Sequence, residues 1–325
     1  MPISLTKTTL GEGVLYTDGT QSQSLNRFKR AIFGYGYSNN AGSYYSITNI
    51  VTNTGLVATD TTGVGTIRTC PAAGYGGDKA IFAYGVNTGG SVTQSNLVSE
   101  QGVVGTDVSI TGTPRQYLAA ASYGGDKAIF GYGIGGSAVL YLISNSVSNV
   151  GVIASDVSIT GTGRFQLAAA SYGLDKAVFA FGQSTTNYYG MWNTVSNTGV
   201  VASDLTGSAT ARSGPAGAGY GGDKAIFGYG SNSSSSYFSL TNLVTNTGIV
   251  GADVTGVGTA RMSLGAAGYG GDKAIFGYGY IYIPGGSIYA YFNFTNTVSN
   301  VGVVSSDITG VGTIRGGVGA ASFGS

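Results

Sequence analysis

Six times along the chain an aspartate is followed eight residues later by an arginine: Asp60 and Arg68, Asp107 and Arg115, Asp156 and Arg164, Asp204 and Arg212, Asp253 and Arg261, Asp307 and Arg315. An asparagine stands eleven residues before each aspartate, at Asn49, Asn96, Asn145, Asn193, Asn242 and Asn296. Opposite charges at a fixed spacing can form ion pairs and charge-assisted hydrogen bonds. The expectation is that each pair ties neighbouring structural units together. Turned toward a common axis, six guanidinium groups would instead make an anion site, and that is the second reading.

The other residues able to do chemistry sit in six segments that vary in length and composition while the rest of the pattern repeats. They are rich in Tyr, Asn, Ser and Gly, and the candidate contact residues are Tyr37, Asn39, Asn40, Tyr44, Asn87, Asn187, Tyr188, Asn232, Tyr237, Tyr280, Tyr282, Tyr289 and Tyr291. Tyrosine offers a large rigid contact area at small entropic cost, and Ser and Asn adapt their hydrogen bonds, which is the chemistry of antibody paratopes. Variable segments on a constant frame are a usual layout for recognition. Tyr45, Tyr141 and Tyr189 stand at the start of a strand and are expected in its core instead.

Composition removes most other chemistry. The 325 residues contain no His and a single Cys, Cys70, so imidazole bases, histidine metal sites and disulfides are excluded, and no metal or other cofactor is expected. Fifteen Lys plus Arg face fourteen Asp plus Glu, with charged residues only 9% of the chain, so there is no basic surface for nucleic acid. Six of the acidic residues are the aspartates above. Five more (Asp78, Asp126, Asp175, Asp223, Asp272) sit in a Gly-Gly-Asp-Lys or Gly-Leu-Asp-Lys turn, leaving only Glu12, Asp18 and Glu100. The turn joins two strands and lacks the strand-to-helix setting of a phosphate loop, so its glycines are read as a hairpin device.

The elements that must position these residues come from an internal repeat. The sequence Tyr-Gly-Gly-Asp-Lys-Ala-Ile-Phe-Gly-Tyr-Gly recurs with small variations around Lys79, Lys127, Lys176, Lys224 and Lys273, and its second half stands at Arg30. Intervals of 48 or 49 residues give six units, a period typical of solenoids and propellers. Each unit reads as four short strands separated by turn residues, with apolar side chains on both faces of the second strand. A strand of that kind is buried between neighbouring sheets. The predicted fold is all-β: a six-bladed β-propeller over residues 29–325 with four antiparallel strands per blade, preceded by an N-terminal extension, 1–28, that pads a blade or docks onto a partner. The segment from Gly316 onward supplies the strand that the first unit lacks, so it is expected to pair with Arg30 to Gly36 and close the ring, which leaves no free sheet edge at the seam. One deletion breaks the regularity: Arg68 to Lys79 spans eleven residues where the other units span twelve, around Cys70-Pro71.

An arginine, a small-residue strand, a Gly-rich turn, an aromatic strand ending in Gly and two further strands resemble the kelch family of β-propellers across roughly residues 29 to 325. The family's double glycine is here Gly-Tyr-Gly, and its fourth-strand Trp is absent. The near-identical copies with neutral Tyr/Ser/Asn segments also resemble repeat proteins of bacteriophage virions, tail and fibre components in particular. The resemblance implies a non-enzymatic binding and structural module of a virion, contacting a host surface glycan or other virion proteins, with no membrane insertion. The alternatives are an architectural spacer and a glycan-processing enzyme. Sialidase-like propellers use an Arg cluster with a Tyr activated by a carboxylate, and the only Glu residues here are Glu12 and Glu100; galactose-oxidase-like ones need His ligands for copper, which the chain lacks. A hydrolase using Asp pairs stays as the enzyme alternative. The opening residues show no basic segment followed by an apolar stretch, so a virion, or otherwise the cytoplasm, is the expected location.

Overall fold

A computed structural model describes residues 6–10, 13–17, 30–39, 42–283 and 288–324. Among these the chain is all-β, built of small antiparallel sheets, with one 3₁₀ turn at Gly136–Ala138. No helix among the described residues is long and apolar enough to cross a membrane.

Six sheets carry the repeats. In the second, Ala72–Tyr75 pairs with Lys79–Ala83, which pairs with Gln94–Val98, and the same order of first, middle and third strand recurs. The first strands of the third to sixth sheets are Ala119–Tyr123, Ala168–Tyr172, Ala216–Tyr220 and Gly265–Tyr269. The first sheet is assembled from distant parts of the chain: Gly319–Phe323 pairs with Arg30–Ser38, with Ala320 opposite Phe33 and Ala321 opposite Ile32. The third strand beside it is Ser43–Val51.

The fourth strand is shorter than the sequence suggests. It survives as Val108–Ser109 and Val157–Ser158 in two sheets, and as single bridges such as Trp192 with Leu205 in the other four. Part of the backbone there is engaged by side chains: Asn96 Nδ2, for instance, donates to the Gly105 carbonyl at 3.0 Å.

Each middle strand is buried on both faces, as in Ala80, Ile81, Phe82 and Ala83, none of them exposed. The reason is that the apolar clusters form between sheets. Ile32, Tyr35, Ala321 and Phe323 of the first sheet share a cluster with Ala72, Ala80, Phe82 and Val98 of the second. Phe33 and Val51 on the other face of the first sheet pack with Ala267, Ile275 and Tyr278 of the sixth. Close approach demands small residues. A Cβ on Gly34 would lie 2.7 Å from Cζ of Phe82 in the neighbouring sheet. The first strands, made of Ala, Gly and Ser, lie against one another in the order second, third, fourth, fifth, sixth, first, and the first strand of the first sheet lies against that of the second.

Of residues 1–28, the structure describes one antiparallel pair, Thr6–Leu10 with Gly13–Thr17. The expected role of this extension otherwise falls outside the described residues.

Candidate functional site

The repeated polar residues build a frame with the same bonds in every sheet. Arg68 is fully buried; its Nε donates to the Tyr84 carbonyl at 2.9 Å, its Nη1 to the Thr66 carbonyl at 2.9 Å and its Nη2 to Asn96 Oδ1 at 2.8 Å. Asn96 in turn donates from Nδ2 to Asp107 Oδ1 at 2.9 Å, and the Asp107 carboxylate accepts the Thr66 hydroxyl at 2.6 Å. The asparagine therefore relays between a buried cation and a half-buried anion, whose direct separation is 4.0 Å. Equivalent bonds surround Arg115, Arg164, Arg212, Arg261 and Arg315.

This geometry changes the expected partners. Asp60 and Arg68 share a connection but do not pair. Arg68 reaches Asp107 in the sheet it leads into, and Asp60 is reached by Arg315. The link to the neighbouring sheet is made by backbone hydrogen bonds, the Arg68 carbonyl accepting the Gly36 N–H at 2.9 Å, and by aromatic stacking: the Arg68 guanidinium lies 4.5 Å over the Tyr35 ring, Arg115 lies over Tyr84, and so on to Arg315 over Tyr278. The same rings meet the next middle strand edge-on or tilted, Tyr35 on Phe82 at 4.9 Å and Tyr278 on Phe33 at 5.2 Å. With all six guanidinium groups wholly buried, the second reading of an anion site formed by them does not hold.

Burial would raise the pKa of each repeat aspartate. Hydrogen bonds from the threonine hydroxyl, the asparagine amide and the threonine N–H, with the arginine charge behind them, outweigh it and hold all six carboxyls below the usual range.

The variable segments extend the middle and third strands past a bend at a left-handed aromatic residue, Tyr35 (φ 62°) in the first sheet and Tyr84 (φ 58°) in the second. Their bases bridge back to the residue after each arginine, as Val86 does to Thr69 and Tyr280 to Met262. The segments and the lead-in residues thus meet at one end of the first strands, around a cavity of about 500 Å³.

Six tyrosines line that cavity: Tyr37, Tyr44, Tyr117, Tyr280, Tyr289 and Tyr291. Tyr37 lies 4.7 Å from Tyr44 and 6.4 Å from Tyr291, and Tyr280 lies 5.5 Å from Tyr289 and 5.3 Å from Tyr291, ring centre to ring centre. Tyr37 donates its hydroxyl to Asn39 Oδ1 at 2.8 Å. The rest of the lining is mostly Ala and Gly of the first strands with Pro and Leu of the lead-in segments, and no charged side chain lines the cavity among the described residues. Burial pushes the Tyr280 hydroxyl well above its ordinary pKa and that of Tyr291 up to about 12, so both phenols stay neutral donors.

The structure brings Tyr37, Asn39, Tyr44, Tyr280, Tyr289 and Tyr291 together, and the other described candidates lie outside the cavity lining. Asn40 falls outside the described residues. Asn87 folds onto its own turn, accepting the Gly89 N–H, and Asn187 bonds with Ser184 and Thr186. Tyr188 is exposed, Asn232 lies within the strand Ser231–Ser233, and Tyr237 accepts the Tyr282 N–H at 2.7 Å. Sequence reasoning missed Tyr117, Gln166 and Ser263, which line the cavity from the lead-in segments. Their signal is only that the position two after the arginine changes from unit to unit, as Cys70, Tyr117, Gln166, Gly214, Ser263 and Gly317.

A second cavity of about 580 Å³ lies among the Gly-Gly-Asp-Lys turns, lined by Asp126, Asp175, Lys224 and Lys273 among others. Each lysine there pairs with the aspartate beside it, as Lys79 does with Asp78 at 2.6 Å, and the residues repeat from unit to unit. Among the described residues no group of three or more His, Cys, Asp or Glu could hold a metal ion.

No family model matches the chain, and no curated protein does.

Proposed function

We propose that this chain is a six-bladed β-propeller that serves as a recognition module without catalysis of its own, holding a neutral saccharide in the tyrosine-lined cavity at one mouth of the ring. The propeller reading is supported by the succession of first strands that returns to its start and by the arginine-on-aromatic contacts that run between all six neighbouring pairs. The observation that carries the binding reading is the cavity itself. Six tyrosines over an uncharged floor of small residues suit a ligand with apolar ring faces and hydroxyl edges, and a volume of about 500 Å³ is that of a small-molecule site. A charged ligand would lose its hydration there with no counter-charge to replace it.

The setting we propose, a phage virion whose ligand is a host surface glycan, rests on the resemblance of the repeats. The test is a glycan array followed by calorimetric titration, with the native chain and Tyr289→Ala. The expected result is retention of neutral glycans by the native chain and at least a tenfold loss in the variant. A native chain that retains no glycan overturns the proposal.

A further inference from the structure

In five of the six lead-in segments the residue two after the arginine adopts left-handed φ: Tyr117 (54°), Gln166 (51°), Gly214 (61°), Ser263 (54°) and Gly317 (62°). Three of these are not glycine, and such a backbone persists only where its surroundings enforce it. What accompanies it is a chain of hydrogen bonds around the cavity floor. Gln166 N–H donates to the Tyr117 carbonyl at 2.8 Å, Gly214 to Gln166 at 2.7 Å, Ser263 to Gly214 at 2.8 Å and Gly317 to Ser263 at 2.8 Å.

The ring stops at the second sheet. Thr69 bridges Val86 as Gln116 bridges Ile134, and Ala72 stands opposite Phe82 as Ala120 stands opposite Phe130. Two residues lie between the first pair of markers and three between the second, so the deletion removes the residue that would complete the ring. At the two lips of the gap, the Gly317 carbonyl and the Tyr117 N–H have no hydrogen bond to the described protein, and both residues line the cavity. Pro71 lines the gap as well and has no N–H with which to fill it.

We infer that the cavity selects ligands carrying a secondary amide, an N-acetylated neutral sugar, because the amide takes the place of the absent residue in this ring. The inference rests on the saccharide reading above. A trans amide points its N–H and its C=O in opposite directions. The ligand N–H donates to the Gly317 carbonyl, the ligand carbonyl accepts the Tyr117 N–H, and the acetyl methyl lies against Pro71. A hexose hydroxyl has to meet both lips from a single oxygen, whereas the amide offers its donor and its acceptor from separate atoms pointing opposite ways, much as the absent residue would, and an imperfectly met lip costs affinity.

The experiment is calorimetric titration of the native chain with N-acetylglucosamine, N-acetylgalactosamine, glucose, galactose and 2-O-acetylglucose. The expected result is that each amide sugar binds about tenfold or more tightly than its parent hexose, and that the ester, which lacks the N–H, falls back toward glucose. A variant with one glycine inserted between Thr69 and Cys70 closes the ring. It should lose the amide preference, binding the amide sugars no more tightly than their parent hexoses. Equal affinity of the native chain for the amide sugars and their parents overturns this inference and leaves the saccharide reading standing, as does an insertion variant that keeps the preference. Binding of none of the five sugars overturns both. The comparison of amide with ester needs no variant, so it decides the matter even if the insertion disturbs folding.

Discussion

Arg315 donates from Nη2 to Asn49 Oδ1 at 2.7 Å although 266 residues separate them, and the guanidinium is wholly buried. Its Nε reaches the Tyr35 carbonyl at 2.7 Å and its face stacks 4.3 Å over Tyr278. One side chain thus joins the first sheet, which is made from both ends of the repeat region, to the sixth.

Arg315→Ala leaves Asn49, Tyr35 and Thr313 with buried unpaired acceptors. The expected loss of stability is about 3–5 kcal/mol, the cost of breaking a buried charged network from one side. Arg315→Lys keeps the charge but loses the fork and the stacking, and should recover only part of it. Thermal and denaturant unfolding of both variants checks this.

Gly34→Ala tests the close approach of neighbouring sheets. The added methyl would meet the Phe82 ring, which is fully buried, and the expected cost is about 1–3 kcal/mol from overpacking. Adding Phe82→Leu should return part of that loss, because the two sites share one space, and a double-mutant cycle measures the coupling.

Acid should unfold the protein over a narrow window. The six repeat aspartates have folded pKa values below their unfolded values, so the unfolded chain binds more protons through that window. Their stabilisation is fully present above the unfolded carboxylate pKa, about 3.9, and is lost as pH falls through the depressed folded values. Denaturant midpoints should be flat from pH 7 to about 5 and fall steeply below about 4; Asp156→Asn should be less stable at pH 7 and show a shallower acid slope.

The Tyr280 and Tyr291 phenols should keep their protons through the range where tyrosine ordinarily ionises. The Tyr280 and Tyr291 hydroxyls are raised by burial, so their neutral forms persist above the ordinary value of 10.0. Ultraviolet difference titration of the native chain, Tyr280→Phe and Tyr291→Phe to pH 10 should give the same phenolate absorbance in all three. A smaller phenolate signal at pH 10 in either variant would mean that the phenol it lacks ionises there.

The repeat, its strands and the pairing of the segment from Gly316 onward with the strand at Arg30 were legible in the sequence, though not its register, because Gly, small-residue strands and apolar alternation carry local information. The partners of the repeat aspartates were not. A pattern that repeats every 48 or 49 residues looks the same whether Arg68 meets Asp60 or Asp107, and only the three-dimensional path of the chain distinguishes the copies. The fourth strands read too long because alternation persists where the backbone is held by Asn96 and its equivalents rather than by a neighbouring strand. The cavity was half visible: the long sixth segment announced Tyr280, Tyr289 and Tyr291 by its aromatics, whereas Tyr117 stands beside a small-residue strand with only its variability to mark it.

Because Gly319–Phe323 completes the sheet begun by Arg30–Ser38, the order of synthesis matters. The strand holding Ile32 and Phe33 leaves the ribosome almost 290 residues before its partner exists. Intermediate units can stack on one another as they emerge, but the earliest strand waits with an unpaired edge until translation reaches the final segment. A truncated product lacking the last segment would carry that edge uncovered.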